Sequence, residues 1–445
     1  TNGYKGHPAL PRLQRLIAVG NNFLGYGEVV RGQYRQAVEY YGKALLYLRE
    51  APMEAQHAAT LNNLARALAS LGREERGERI CQDALSLRRR LGVEIPIAYS
   101  LNTLALIKNG RERTPTAWRL ATQALALFRR AGDKRGEGLA LIQLGIGLRR
   151  LANTEETGYL LEMDVEALYD TAEMAISEAV EIFAEDEEVI RRVEAHLELG
   201  CLLRDRLRSE KSFANKQRRD RLSRDADNHL RMAVEAAKSE FPFLALQARV
   251  DRAWLRFYAD DYTHARAMQA AEEAKASVLE GYRIEDIKKI EQGQAETHYY
   301  YQLAKIEGLL AAVAMRQFTA RRNSLRQQYL QMNKSDFYKR LEEDPEIKRY
   351  LKGAAENYVL SLYYGQMFSQ RSRSLVVTYD QIYNYVKQFN STEYRMFYQF
   401  QHDAAEKYKN QMRSESAGAV SDSQATPYDF SRLDGWLNDC FGPVE

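Results

Sequence analysis

Cysteine is scarce in this chain: Cys81, Cys201 and Cys440 are the only three in 445 residues, too few and too scattered for a disulfide framework or a zinc cluster. So few thiols suit a reducing compartment, and the expected location is the cytoplasm. Proline is scarce too, at nine, which leaves long stretches free of helix breakers. Net charge almost vanishes, because 64 basic residues face 61 acidic ones. A global electrostatic footprint for nucleic acid or an anionic membrane is therefore absent, and any such binding has to be local. No apolar run approaches the length of a transmembrane helix, and the first residues lack the basic-then-apolar plan of a signal peptide. Motifs that announce chemistry are missing as well: there is no Gly-x4-Gly-Lys-Ser/Thr loop, His-Glu-x-x-His, Gly-x-Ser-x-Gly or Cys-x-x-Cys. The sequence thus points away from an enzyme, and no catalytic residue, metal or cofactor is expected.

What is abundant is helix-forming: Ala, Leu, Glu, Arg and Gln dominate, residues that lose little side-chain entropy in a helix. At 445 residues the chain exceeds one compact core, so either several domains or an extended array is expected. It opens on Thr1 rather than Met, in a stretch that reads as structured, and the expectation is a segment cut from something longer.

An internal repeat favours the array. The stretch from Asn22 to Leu48 aligns with that from Leu61 to Leu87, the matched columns lying 40 residues apart. Leu24, Leu64 and Leu104 form one column, followed by the small residues Gly25, Ala65 and Ala105. Ala37, Gly77 and Ala117 make a second small column, and Ala44, Ala84 and Ala124 a third. Large apolar residues at three- and four-residue spacing put a stripe on each helix, while small ones let paired helices approach closely. One helical hairpin cannot bury its own stripe, so stacked neighbours must supply the rest of the core.

These columns resemble the tetratricopeptide repeat, with its Leu-Gly pair at Leu24 and Gly25, its Gly-x-Tyr turn at Gly32 and Tyr34, and its alanines at Ala37 and Ala44. Later repeats carry Leu144-Gly145 with Ala172 and Ala179, and Leu199-Gly200 with Ala226 and Ala233; a sixth, degenerate unit spans about Leu244 to Val278. The resemblance implies an all-α, right-handed superhelical solenoid over 1–278, with diverged, Tyr-rich helical pairs over 279–410. Sixteen of the 28 tyrosines follow residue 295, which fits either packing between long helices or a Tyr-lined surface.

The resemblance also implies that the first helix of each pair lines a concave groove, and that the position two before the repeat leucine points into it. That position is Asn22, Asn62 and Asn102 in three consecutive repeats. A carboxamide offers both donors and an acceptor, the chemistry needed to grip a peptide backbone. Tyr26 and Arg66 lie one turn on, and Arg149 and Arg204 take later groove positions. The plainer alternative for the Asn row is bonding to neighbouring helices.

Two longer repeats expect insertions near 151–170 and 204–224. The first contains six acidic residues and no Lys or Arg; the second holds nine basic residues against three acidic ones. Mutual pairing or solvation is one reading, and a phosphate-binding patch on Arg218, Arg219, Arg221 and Arg224 is another. Cys81 and Cys201 read as core, and His196 and His229 as packing residues. After a linker-like stretch at 411–429, residues 430–445 are expected to form a short amphipathic helix. There Phe430, Leu433, Trp436, Leu437 and Phe441 share one face, a docking motif that either folds back or reaches another protein.

Repeats of about 40 residues joined as in Leu127 to Gly145 look like the C-terminal sensor arrays of signal-transduction ATPases with numerous domains. That likeness implies a ligand-sensing or peptide-binding module serving a nucleotide-binding switch, of which these 445 residues carry no motif. The alternative is a scaffold or adaptor subunit in a multiprotein complex, RNA-associated through its basic insertion. No membrane partner is expected.

Overall fold

The computed structural model describes residues 9–110, 114–153, 164–184, 189–209, 215–237, 240–259, 269, 271–273, 276, 298–368 and 373–416. Every element among them is a helix or a turn. The chain divides into two compact units, one of residues 1–263 with 296–299, the other of 264–295 with 300–445.

The first unit runs α1 (Leu10–Val30), α2 (Tyr34–Glu50), α3 (Glu54–Ser70), α4 (Glu74–Leu91), α5 (Glu94–Gly110), α6 (Thr114–Ala131), α7 (Lys134–Ala152), α8 (Val165–Ala184), α9 (Val189–Ser209), α10 (Lys216–Ala237) and α11 (Pro242–Tyr258). Consecutive helices pack as hairpins, α1 on α2, α3 on α4, and so on to α9 on α10, with α11 against α10 and α9. The odd-numbered helices also pack in series, α1 on α3, α3 on α5, α5 on α7 and α7 on α9, so they form the inner layer of a tetratricopeptide-like solenoid.

The small columns explain how close the hairpins pack. A Cβ on Gly25 would lie 2.6 Å from the ring of Tyr41, and one on Gly77 would lie 2.7 Å from the carbonyl oxygen of Ala65. Gly145 and Gly200 do the same for Ile176 and Leu230 on the second helix of their own hairpins. Ala37, Ala44, Ala84, Ala117 and Ala124 are wholly buried. Helix ends are set locally. At Gly92 the backbone turns left-handed (φ 71°) to close α4, whose last turn carries Arg88, Arg89 and Arg90 beside the exposed carbonyls. The Asp133 carboxylate accepts from the Gly136 amide at 2.8 Å and starts α7.

The expected insertion at 204–224 is largely helix: α9 continues to Ser209 and α10 begins at Lys216. For the other, α7 ends at Ala152 and α8 begins at Val165.

The second unit contains α12 (His298–Gln328), α13 (Lys334–Glu343), α14 (Pro345–Phe368), α15 (Arg373–Val386) and α16 (Ser391–Ser416). These helices pair in space but are unequal in length, so the 40-residue period is lost. Their core gathers Met315, Phe318, Leu341, Leu351, Tyr358 and Phe397. The link between α15 and α16 is a capping box: Asn390 Oδ1 accepts from the amides of Thr392 and Glu393, and Glu393 Oε2 accepts from the Asn390 amide at 3.0 Å. Glu393 is fully buried and pairs with Arg322 of α12 at 3.4 Å. The linker at 411–429 lies outside the described residues from 417 onward, and so does the whole of 430–445 with Phe430, Leu433, Trp436, Leu437 and Phe441.

Candidate functional site

The inner helices of the first unit enclose a cavity of about 300 Å³. Each odd-numbered helix from α1 to α11 contributes to its wall, because each turns one stripe toward the axis of the array. The apolar part includes Val29, Leu106, Ile142, Ile146, Ile190 and Phe243. The polar part includes Tyr26, Arg66, Asn102, Asn109, Gln143, Arg150, Arg191, Glu194, Glu198 and Gln247.

The solenoid curls tightly enough for its first helices to reach its fifth hairpin. Arg191 of α9 donates to the Tyr26 hydroxyl of α1 at 3.2 Å, and Arg66 of α3 donates to Glu194 of α9 at 3.4 Å. Arg191 and Glu194 are themselves paired at 2.8 Å, so four residues on three helices form one chain of charge-assisted contacts along the cavity wall. Beside it, Asn109 donates to both the backbone carbonyl and the side-chain oxygen of Gln143, each at 3.1 Å.

The structure divides the residues expected in the groove. Tyr26, Arg66 and Asn102 line the cavity. Asn22 is held by the Asn63 amide at 3.2 Å. Asn62 is buried and turns away toward the Cys81 thiol, 3.7 Å from its Oδ1. Equal spacing of 40 residues therefore does not give three equivalent amides. Asn102 differs from both: its Oδ1 is shielded from water and accepts no hydrogen bond from the described residues.

Arg149 and Arg204 belong to a buried ion network behind the cavity. Arg149 pairs with Glu198 at 3.0 Å and approaches Asp205 at 3.8 Å; Arg204 binds Asp205 at 2.6 Å and also Asp251 of α11. Burial alone works to raise the Asp205 pKa, but Arg204, Arg149 and Arg208 outweigh it and hold the carboxyl below its ordinary range. Both arginines are raised above their usual value by the same carboxylates, against the effect of burial. Cations so compensated tie α7, α9 and α11 together.

The two charged segments meet. Arg206 reaches Asp170 at 2.6 Å and Glu173 at 2.5 Å, and both Arg206 and Arg218 bind Glu166. Arg219 is 8% exposed and donates to the carbonyls of Leu207 and Tyr258, capping the ends of α9 and α11. Arg221 pairs with Asp225 at 3.5 Å, and Arg224 donates to the Asp220 carbonyl. Of these four arginines Arg219 is turned inward, while Arg218, Arg221 and Arg224 lie on the outside of α10 with contacts inside the chain.

Cys81 and Cys201 are buried, and burial pushes each thiol up to about 12. Among the described residues, no group of three or more His, Cys, Asp or Glu is placed to hold a metal ion, and no helix is long and apolar enough to cross a membrane. Sequence reasoning missed Arg191, Glu194, Gln143 and Gln247.

No family model matches the chain, and no curated protein matches it. Among solved structures, the crystal structure of a Rap protein complexed with competence and sporulation factor aligns over 89% of this chain and 99% of its own, at 12% identity and a TM-score of 0.47. A monomeric mutant of IFIT1 with m7Gppp-AAAA aligns over 90% of this chain and 95% of its own, at 12% identity and a TM-score of 0.31. Likeness at this level says nothing of what this chain binds. The stacked hairpins themselves make it a tetratricopeptide-like repeat protein.

Proposed function

We propose that this chain is a non-catalytic binding module whose first unit takes a short peptide segment into the inner cavity. One observation carries the reading: Asn102 is half-buried on the cavity wall and its Oδ1 accepts no hydrogen bond within the described residues, so a rotation of the carboxamide would offer that acceptor to a ligand. A buried acceptor left open is costly, by about 1–3 kcal/mol, and an incoming N–H donor removes that cost. Peptide amides are such donors. The mixture of Asn102, Gln247 and Arg66 with Ile142, Ile190 and Phe243 suits a chain that offers both backbone groups and apolar side chains. A volume of about 300 Å³ fits a short segment, not a folded domain.

The wider role we assign is ligand sensing within a larger signalling system, in which occupation of the cavity alters the Tyr26–Arg191 and Arg66–Glu194 contacts between the first hairpins and α9. The test is a displayed library of random short peptides panned on the intact chain, followed by titration of an enriched synthetic peptide. Asn102→Ala and Arg66→Ala are each expected to weaken its Kd by about tenfold or more. Failure to enrich any sequence, or equal affinity in both variants, overturns the reading.

A further inference from the structure

Leu24 is 53% exposed, whereas its counterparts one and two repeats on, Leu64 and Leu104, are 9% and 5% exposed. The difference is positional. Leu64 packs with Ala37 and Tyr41 of the preceding hairpin, and among the described residues α1 has no earlier hairpin to do the same for Leu24. Leu13, Leu16 and Phe23 of α1 are also open, at 53%, 63% and 69%. On a helical projection of about 100° per residue, these four fall with Gly20 and Gly27 in one arc about 100° wide, opposite the buried Ala18 and Gly25. A single exposed leucine is ordinary, but four large apolar side chains on one face mark a surface that something covers.

The glycines sharpen this. Glycine inside a helix is unfavourable unless a close approach needs it. Gly25, Gly77, Gly145 and Gly200 all meet such a neighbour within 3 Å of where a Cβ would stand, whereas Gly20 and Gly27, like Gly42 of α2 and Gly353 of α14, have nothing within 4 Å among the described residues. Gly20 and Gly27 are notches without knobs.

We propose that this face of α1 binds a second copy of the chain, the two α1 helices packing antiparallel about a two-fold axis. Leu13, Leu16, Gly20, Phe23 and Gly27 alternate steps of three and four, the spacing of a helix–helix seam. The face is also complementary to itself. The register that sets Phe23 against the second copy's Gly20 also sets Leu16 against its Gly27, and the two-fold axis repeats both contacts. No charged residue of α1 lies within the arc, so burying it strands no ion. The contact prolongs the helix-on-helix stacking that already buries Leu64 and Leu104, supplied here by another molecule.

The experiment is sedimentation velocity on the intact chain over a concentration series up to roughly 100 μM. A dimer is expected, with Leu16→Glu and Phe23→Glu sedimenting as monomers at unchanged helical content. Gly20→Ala guards against misfolding as the cause: its methyl meets nothing among the described residues, so the expected result is an unchanged or higher Tm together with a dimer Kd weakened about tenfold. A wild-type chain that stays monomeric throughout, or a dimer that survives all three substitutions, overturns the proposal.

Discussion

The Nδ1 atoms of His196 on α9 and His229 on α10 lie 3.0 Å apart, with the rings stacked at a centroid distance of 5.2 Å. One ring donates its Nδ1 proton to the bare Nδ1 of the other, so the contact is made by neutral rings and is broken when both carry protons. Burial, His229 and Arg192 together lower the His196 pKa to about 4, and burial lowers that of His229 against the pull of Asp225. A histidine whose folded pKa lies below its unfolded value near 6.5 contributes stability above that value and loses it as pH falls toward the folded pKa. Stability in urea is therefore expected to drop as pH falls from about 6.5 to 4, and His229→Gln is expected to reduce that dependence, leaving the part that burial of His196 supplies. A midpoint independent of pH across this window sinks the assignment.

Two glycines on the hairpin helices are expected to respond in opposite directions to alanine. At Gly77 the new methyl meets a backbone oxygen 2.7 Å away, which no rotamer change relieves, and helix α4 must move off α3. The expected cost is about 2–4 kcal/mol. At Gly42 nothing lies within 4 Å, and Gly42→Ala is expected to stabilise by up to about 1 kcal/mol through helix propensity. Thermal denaturation of the two variants side by side checks the sign.

Those columns show how far the sequence carries. Gly25, Ala65 and Ala105 were legible as close-contact positions because each sits in a local pattern and meets a helix of its own or an adjacent repeat, and all three are buried. Cys81 was legible for the same reason. The cavity was legible only in part. Tyr26 and Arg66 project from the expected face, but their partners Arg191 and Glu194 come 165 and 128 residues later, set by the accumulated rotation of successive hairpins. No local spacing encodes that rotation. Asn62 departs from Asn102 because Cys81 offers it a partner inside the array, and the side chain at Ala121, one repeat on from Cys81, cannot do the same.

Asp251 is 1% exposed and answers Arg204 across from Asp205. Removing one partner of a buried pair leaves a desolvated charge, so Asp251→Asn is expected to cost about 3–5 kcal/mol. Replacing Arg204 by Met strands Asp205 as well as Asp251, so adding Asp251→Leu to Arg204→Met is expected to recover only the part of the loss that Asp251 carries. Chemical denaturation of Arg204→Met, Asp251→Leu and the double variant makes the double-mutant cycle; a double variant no better than Arg204→Met contradicts this view of the network.

In the second unit Glu393 does two things at once: it closes the capping box of α16 by accepting from the Asn390 amide and it neutralises Arg322 on α12. Asn390→Ala removes only the cap and is expected to cost about 1 kcal/mol, within the range of N-cap substitutions. Glu393→Ala additionally leaves the Arg322 guanidinium, 9% exposed, without its carboxylate, and the expected loss is about 3 kcal/mol or more. Amide hydrogen exchange separates the two effects. Asn390→Ala is expected to speed exchange at Thr392 and Glu393 alone, the amides that lose their acceptor, while Glu393→Ala speeds it along α12 near Arg322 as well. If both variants exchange alike, the cap is all that Glu393 supplies and its pairing with Arg322 is without consequence.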